Sequence, residues 1–177
     1  MLVNILIGLA VVIAVFVIVA ALKPAAFRVA RTAVIDAPAE DVFGHVNDFK
    51  KWATWSPFEK FDPAMKKTYE GAPAGTGTAY SWAGNRSAGE GRATITESRP
   101  SELIRIRLDF VRPFAGTSIA EFDFRPEAGR TAVTWSFTGE NNFVCRAIGL
   151  FVSTDKMCGK MFDAGLGDLK KIVESNS

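Results

Sequence analysis

The sequence predicts an α+β domain behind an N-terminal transmembrane helix. In this domain an antiparallel sheet wraps around a long C-terminal helix. Three patterns support this prediction. Residues 1–22 carry no charged side chain, the middle of the chain alternates apolar and polar residues, and the C-terminal segment has an apolar stripe of helical period. The 177 residues are enough for one ordinary domain plus the N-terminal segment.

Residues 1–23 are predicted to be a membrane anchor. Asn4 is the only strongly polar residue before Lys23, and at about 1.5 Å per residue the run covers the ~30 Å hydrocarbon core of a bilayer. A cleaved secretory signal is the competing interpretation, because Val19 and Ala21 suit a cleavage site. The anchor is favoured because no Lys or Arg precedes a run longer than the usual ~7–15 apolar residues of a signal.

Three positive charges directly follow the anchor and indicate its orientation. Lys23, Arg28 and Arg31 come after the apolar run, while only the terminal amine precedes it. The positive-inside rule then predicts a single-pass membrane protein with a cytoplasmic C-terminal domain. Residues 24–28 are expected to be a short juncture, and residues 29–175 the domain.

The domain is predicted to begin with a strand that runs into a helix. Residues 29–35 have strand character, and Pro38 suits the first position of a helix at 38–47, where its missing N–H costs nothing. Glu40 and Asp41 then lie in the first turn, where the helix dipole favours negative charge. A second short helix is predicted at 49–54, and Asp62-Pro63 marks a break before the next strand.

Six strands are predicted after this break. Ile104, Ile106, Leu108 and Phe110 alternate with charged residues, as on a sheet with one apolar and one solvated face. The remaining strand segments show comparable signals between turn residues. The six predicted strands are 66–70, 76–83, 91–98, 102–110, 118–125 and 131–138.

The apolar face of the sheet is predicted to be closed by a long helix after Asn141-Asn142. The apolar stripe there consists of Cys158, Met161, Phe162, Gly165, Leu166, Leu169, Ile172 and Val173. Gly159, Gly165 and Gly167 each cost about 1 kcal/mol relative to alanine in a helix. Close packing against the sheet explains them, and so does room for a ligand.

These segments resemble a known superfamily. The strand-to-helix corner at 34–43, the Trp-x-x-Trp-Ser-Pro segment at 52–57 and blocks such as Gly139-Glu140-Asn141-Asn142-Phe143 resemble the START-like, polyketide cyclase/dehydrase-like (SRPBCC) superfamily. These blocks look like those of its membrane-anchored members. The resemblance implies a helix-grip fold, whose cavity holds hydrophobic small molecules. The superfamily includes lipid carriers, receptors, cyclases and dehydratases, so the fold alone leaves the function open.

Composition excludes several other classes of protein. The net charge of +2 is spread along the chain without a basic stripe, so a nucleic-acid partner is not expected. One histidine, His45, and two cysteines without a Cys-x-x-Cys motif predict no metal site. Cys145 and Cys158 would lie about 20 Å apart on a continuous helix, so free thiols are expected. We expect no cofactor and a monomer.

The predicted ligand cavity lies between the sheet and the C-terminal helix. Many aromatic side chains share the inner face, so either some point outward or the cavity is small. Trp52 and Trp55 are expected to pack the short helices against the sheet. The candidate cavity residues are Trp82, Ile106, Leu108, Phe110, Phe122, Phe124, Trp135, Met157, Met161, Phe162 and Gly165.

Three functions remain open. The first is binding of a hydrophobic or amphipathic, lipid-like molecule. A binding function is expected over an enzymatic one. The second is a cyclase or dehydratase, which requires at least two polar groups in the cavity. No catalytic residue is assigned. The candidates are His45, Glu90, Tyr80 and Tyr69, of which His45 is expected to be solvated. The third is a non-catalytic accessory protein that binds a protein partner.

Overall fold

A seven-stranded antiparallel sheet is the framework of the domain in a computed structural model that describes residues 1–175. The sheet order is β1-β7-β6-β5-β4-β3-β2, so strands β2 to β7 follow one another and β1 pairs with β7. The strands are β1 (Ala26–Ile35), β2 (Lys66–Glu70), β3 (Ala79–Ala83), β4 (Glu90–Arg99), β5 (Leu103–Arg112), β6 (Gly116–Glu127) and β7 (Arg130–Glu140).

The helices complete a helix-grip fold, with the longest packed on the inner face of the sheet. The predicted order of a strand, short helices, six strands and a closing helix is confirmed. The helices are α1 (Leu2–Leu22), α2 (Ala39–Val46), α3 (Trp52–Trp55), α4 (Phe143–Ile148) and α5 (Thr154–Glu174), with 3₁₀ turns at Phe49–Lys51 and Pro57–Lys60.

Several element boundaries differ from the predicted ones. β1 begins at Ala26 because that residue pairs with Glu140, so the strand takes up part of the predicted juncture. The strand predicted at 76–83 begins at Ala79, since Gly75 and Gly77 have φ of +79° and +88° and form a turn. Pro38 caps α2 instead of opening it, and the predicted helix at 49–54 is a 3₁₀ turn followed by α3.

The C-terminal region consists of two helices, and the second closes the core. Asn142 caps α4, and Ser153 caps α5 by accepting a hydrogen bond from the Lys156 backbone N–H at 3.3 Å. Residues 149–153 separate the helices, so Cys145 and Cys158 do not share one continuous helix. Both cysteines are free thiols. The α5 residues buried against the sheet are Gly159, Phe162, Gly165, Leu166, Leu169 and Val173.

The outer face of the sheet carries charged side chains that form ion pairs. Arg105 forms ion pairs with Glu97 and Glu121 on the two neighbouring strands, and Arg107 lies 2.9 Å from Asp109. Such exposed pairs contribute at most about 1 kcal/mol each. This face is therefore solvated and charged, and the apolar face lies under α5.

One end of the sheet adjoins the apolar N-terminal helix. α1 is long and apolar enough to cross a membrane, a property that signal sequences share. Only three residues separate its last residue, Leu22, from the start of β1. Ala26 pairs with Glu140, and the β5–β6 and β3–β4 turns lie at this same end. We call it the α1 end of the sheet.

Candidate functional site

An apolar cavity of about 320 Å³ lies between the inner face of the sheet and α5. It falls at the lower end of the ~300–1,000 Å³ typical of small-molecule pockets. Met157 on its wall is 54% exposed, so the cavity reaches the protein surface. Seven of the eleven predicted cavity residues line it: Trp82, Leu108, Phe110, Trp135, Met157, Met161 and Phe162.

The other four predicted residues lie in the packed core, away from the cavity wall. Ile106, Phe122 and Phe124 are at most 4% exposed and pack between the sheet and the helices. At Gly165 an added Cβ would lie 2.8 Å from Pro57 Cδ and 3.0 Å from Trp135 Cζ3. Gly165 therefore serves close packing, which was one of the two explanations for the α5 glycines.

Aromatic stacking explains the small size of the cavity. The ring centroid of Trp135 lies 4.2 Å from that of Phe162 and 4.8 Å from that of Phe122. Both phenyl rings are nearly parallel to the indole. Trp55 meets Phe122 and Trp135 edge to face, as expected of a residue that packs α3 onto the sheet. Trp52 also contacts Phe122, but it lines the cavity as well. The stack fills the middle of the inner face.

Trp82 forms part of the wall because Gly91 leaves room for its ring. On the paired strand, a Cβ at Gly91 would lie 2.6 Å from the indole carbons. The Trp82 Nε1 donates to the Ala88 carbonyl at 3.1 Å. Phe110 packs edge to face on the indole, with ring centroids 5.8 Å apart. The glycine and the hydrogen bond together hold the indole in the wall.

The wall also contains residues that the sequence analysis missed. Phe58, Phe61 and Met65 line the cavity from the segment between α3 and β2, for which no element was predicted. Phe58 and Phe61 are three residues apart and meet edge to face at 5.8 Å. Their spacing was the available signal, because residues three apart share one side of a short helical turn.

A buried ion pair lies at the edge of the cavity. Glu59 lines the cavity and pairs with Lys67 of β2; their side chains are only 8% and 19% exposed. Burial lowers the pKa of the Lys67 ammonium. Arg112 also lines the cavity, and its guanidinium lies 2.7 Å from the Glu90 carboxylate. The wall is therefore apolar with a few charged groups at its margins.

Of the four candidate catalytic side chains, only Tyr80 lines the cavity. Burial, with a smaller effect of Tyr69, raises the pKa of Tyr80, so its hydroxyl stays protonated at neutral pH. Glu90 is engaged by Arg112, and Tyr69 lies beside a separate surface hollow next to Pro73.

His45 is half-buried, whereas the sequence predicted a solvated side chain. Its Nδ1 is buried without a hydrogen-bond partner, and its backbone carbonyl accepts from Trp55 Nε1 at 3.2 Å. Burial, together with nearby Lys51, lowers the pKa of the imidazole, whereas Asp41 opposes the shift. The neutral form is therefore favoured, and His45 does not line the cavity.

Two further residues of the cavity wall, Trp135 and Cys158, carry a polar group. Trp135 Nε1 is buried and has no hydrogen-bond partner. Burial raises the pKa of the Cys158 thiol, and nearby Asp155 adds to the shift. Across residues 1–175 no group of three or more His, Cys, Asp or Glu side chains could hold a metal ion.

A sheet wrapped around a long C-terminal helix, with an apolar cavity between them, defines the helix-grip class of domains. Residues 26–174 match the family described as polyketide cyclase/dehydrase and lipid transport. The chain therefore belongs to this family. No curated protein matches the chain.

Solved structures share the fold across nearly the whole domain. A protein of Chromobacterium violaceum is 19% identical with a TM-score of 0.59, covering 86% of this chain and 99% of its own. A protein of Nitrosospira multiformis is 21% identical with a TM-score of 0.59, covering 85% and 100%. DynU16, from the dynemicin biosynthetic locus, is 16% identical with a TM-score of 0.55, covering 85% and 48%. At these identities the likeness shows the fold alone.

Proposed function

We propose that the protein binds a hydrophobic or amphipathic, lipid-like small molecule in the cavity between the sheet and α5, and that α1 anchors it in a membrane. The observation that carries the proposal is the apolar wall, to which Trp82, Leu108, Phe110 and Met161 contribute. Affinity would come mainly from burial of apolar surface, at about 25 cal/mol per Å². The family description, polyketide cyclase/dehydrase and lipid transport, includes this function alongside the enzymatic one.

The cavity volume limits the size of the ligand. At roughly 30 Å³ per water-sized group, the 320 Å³ cavity holds about ten such groups. A short acyl chain or a small ring system fits this volume, and both chains of a phospholipid do not. Met157 and Met161 add adaptable side chains that suit varied apolar ligands.

The polar groups of the wall favour an amphipathic ligand over a pure hydrocarbon. Tyr80 lines the wall, and its protonated hydroxyl can donate a hydrogen bond to a carbonyl or hydroxyl of the ligand. Glu59 and Lys67 add a charged pair at the cavity edge. The ligand is therefore expected to combine an apolar body with at least one oxygen acceptor.

The test compares ligand retention in two matched variants. Leu108→Trp places a bulky indole ring in the cavity wall, whereas Arg107→Trp adds the same ring at the exposed neighbouring position. Native mass spectrometry and lipid extraction of the detergent-purified full chain should find an apolar ligand in wild type and in Arg107→Trp. Leu108→Trp should lose it. Equal ligand content in the two variants, or none in wild type, would count against the proposal.

A second candidate function is a cyclase or dehydratase that uses the same cavity. It is favoured by one specific observation, namely that Tyr80 and the buried Glu59 both line the wall. Incubating the copurified ligand with protein and following its mass tests this candidate. Loss of one water in wild type, abolished in both Glu59→Gln and Tyr80→Phe, would establish turnover. An unchanged mass leaves binding as the function.

The orientation of the anchor forms part of the proposal. Lys23, Arg28 and Arg31 favour a cytoplasmic domain. Protease protection in intact cells and in spheroplasts tests this, because a cytoplasmic domain resists added protease in both. Digestion in spheroplasts would place the domain on the other side, and a mature protein without residues 1–21 would identify a cleaved signal.

A further inference from the structure

We propose that the α1 end of the domain rests in the lipid bilayer itself, and that the cavity opens toward that bilayer. The contact surface consists of residues 143–152, which comprise α4 and the turn after it, and of the β5–β6 hairpin. This proposal rests on α1 as the membrane anchor and adds a second contact between the protein and the membrane. A lipid-phase molecule would then enter the cavity from the bilayer without crossing water.

Ring stacking sets the depth of this surface relative to α1. Phe151 stacks on Phe16 with ring centroids 6.1 Å apart and planes 22° apart. Phe16 lies six residues before Leu22, the end of α1, which corresponds to roughly 9 Å along the helix axis. When α1 crosses a bilayer up to Leu22, Phe151 must therefore lie beside its hydrocarbon-buried part. Phe151 is 80% exposed, so its remaining surface faces what surrounds α1.

Polar contacts fix α4 to the end of α1. Arg146 Nη1 donates to the Ala21 carbonyl at 3.0 Å, and Lys23 Nζ donates to the Gly149 carbonyl. The carbonyls of the last helical turn have no partner within a helix, so the Arg146 contact satisfies a group that the apolar interior of a membrane could not. Two cations at this level also suit the headgroup region, where long basic side chains extend to the interface.

Exposed apolar side chains are concentrated at the α1 end. Among residues 23–175, Tyr69 is the one exposed large apolar side chain away from it. Val111 and Phe114 belong to the β5–β6 hairpin, and the Phe61 carbonyl accepts from Asn85 in the β3–β4 turn. A soluble surface seldom gathers apolar groups so strongly without a partner. The members of the main cluster are Phe143, Val144, Ile148, Phe151 and Val152.

The cavity wall reaches the same end of the molecule. Met157 lies in the first turns of α5, a few residues beyond Val152, and it is both exposed and part of the wall. Pro113 of the β5–β6 hairpin and Ala88 of the β3–β4 turn also line the cavity. These three residues place the exposed part of the wall beside the apolar surface. One bilayer can therefore cover both.

Depth-dependent quenching in vesicles tests the proposal with the full chain. In a Cys145→Ser, Cys158→Ser background, a single cysteine replaces Phe151, Val15 or Glu127 and carries an environment-sensitive fluorophore. Val15 lies on α1 beside Phe16. Glu127 ends β6 and pairs with Arg130, which begins β7 roughly 33 Å from Glu140. The protein is reconstituted in phosphatidylcholine vesicles with and without brominated acyl chains.

The expected result is quenching at position 151 as strong as at position 15, with no quenching at position 127. Quenching at position 15 alone overturns the docking and leaves the anchor intact, as when a second copy or another protein covers the surface. Absence of quenching at all three positions overturns anchor and docking together. Ligand retention is measured separately, so failure of the binding proposal is distinguishable from either outcome.

Discussion

Replacing Gly165 and Gly167 by alanine, one at a time, measures how tightly α5 packs on the domain. Both residues lie within α5, two positions apart, so each substitution gains about 1 kcal/mol of helix propensity. Their surroundings differ. A Cβ at Gly165 would lie 2.8 Å from Pro57 Cδ and 3.0 Å from Trp135 Cζ3, while nothing lies within 4 Å of a Cβ at Gly167.

The difference between the two variants isolates the cost of overpacking. Neither contact at Gly165 is easily relieved, because Pro57 is a ring and Trp135 is stacked between Phe122 and Phe162. Inserting a methyl group into such a site costs about 1–3 kcal/mol. Gly167→Ala is therefore expected to stabilise the domain by about 1 kcal/mol, and Gly165→Ala to be less stable than Gly167→Ala by about 1–3 kcal/mol.

Urea unfolding of the full chain in detergent, followed by tryptophan fluorescence, gives both free energies. The slope of each transition should match that of wild type, so that the midpoints report stability alone. Equal stability of the two alanine variants would refute the packing argument at Gly165. It would then follow that α5 can move away from Pro57 at no cost and that the glycine has another role.

Two further predictions concern titrating groups near α5. A side-chain hydrogen bond from Arg31 lowers the pKa of Asp155. The contact therefore stabilises the fold above the unfolded-state pKa of about 4, and this stabilisation is lost as the pH falls below that value toward the lower folded-state pKa. Unfolding at acidic and neutral pH should show a steeper acid loss for wild type than for Asp155→Asn, and parallel curves would contradict the assignment. Because burial raises the pKa of Cys158, its alkylation at neutral pH should be slower than that of free cysteine and slower still with ligand bound. Mass spectrometry measures the rate, and an alkylation rate equal to that of free cysteine would place the thiol outside the cavity.

Most of the fold could be predicted because its elements have regular patterns. The alternation at Ile104 to Phe110 and the helical stripe from Cys158 to Val173 each follow from one face meeting an apolar core. The missed boundaries depend on pairing at a distance. Ala26 joins β1 only because Glu140 lies opposite, and no local signal in 24–28 contains that information.

The cavity was harder to predict than the sheet. Alternation shows that Phe110 and Phe122 share the inner face, but Phe110 lines the cavity and Phe122 is buried under Trp52 and Trp135. The difference depends on where α3 crosses the sheet, which period and composition do not encode. The ion pair between Glu59 and Lys67 was missed for the same reason, since its partners come from a 3₁₀ turn and an edge strand.

The short connection between α1 and β1 restricts where a bound ligand can be delivered. Only residues 23–25 separate Leu22 from Ala26, and three residues span at most about 10 Å. With α1 in a bilayer, the domain cannot carry a ligand across the water between two membranes. Delivery by this domain would be confined to the membrane that holds α1, and any protein that takes the ligand would have to come to the surface of that membrane.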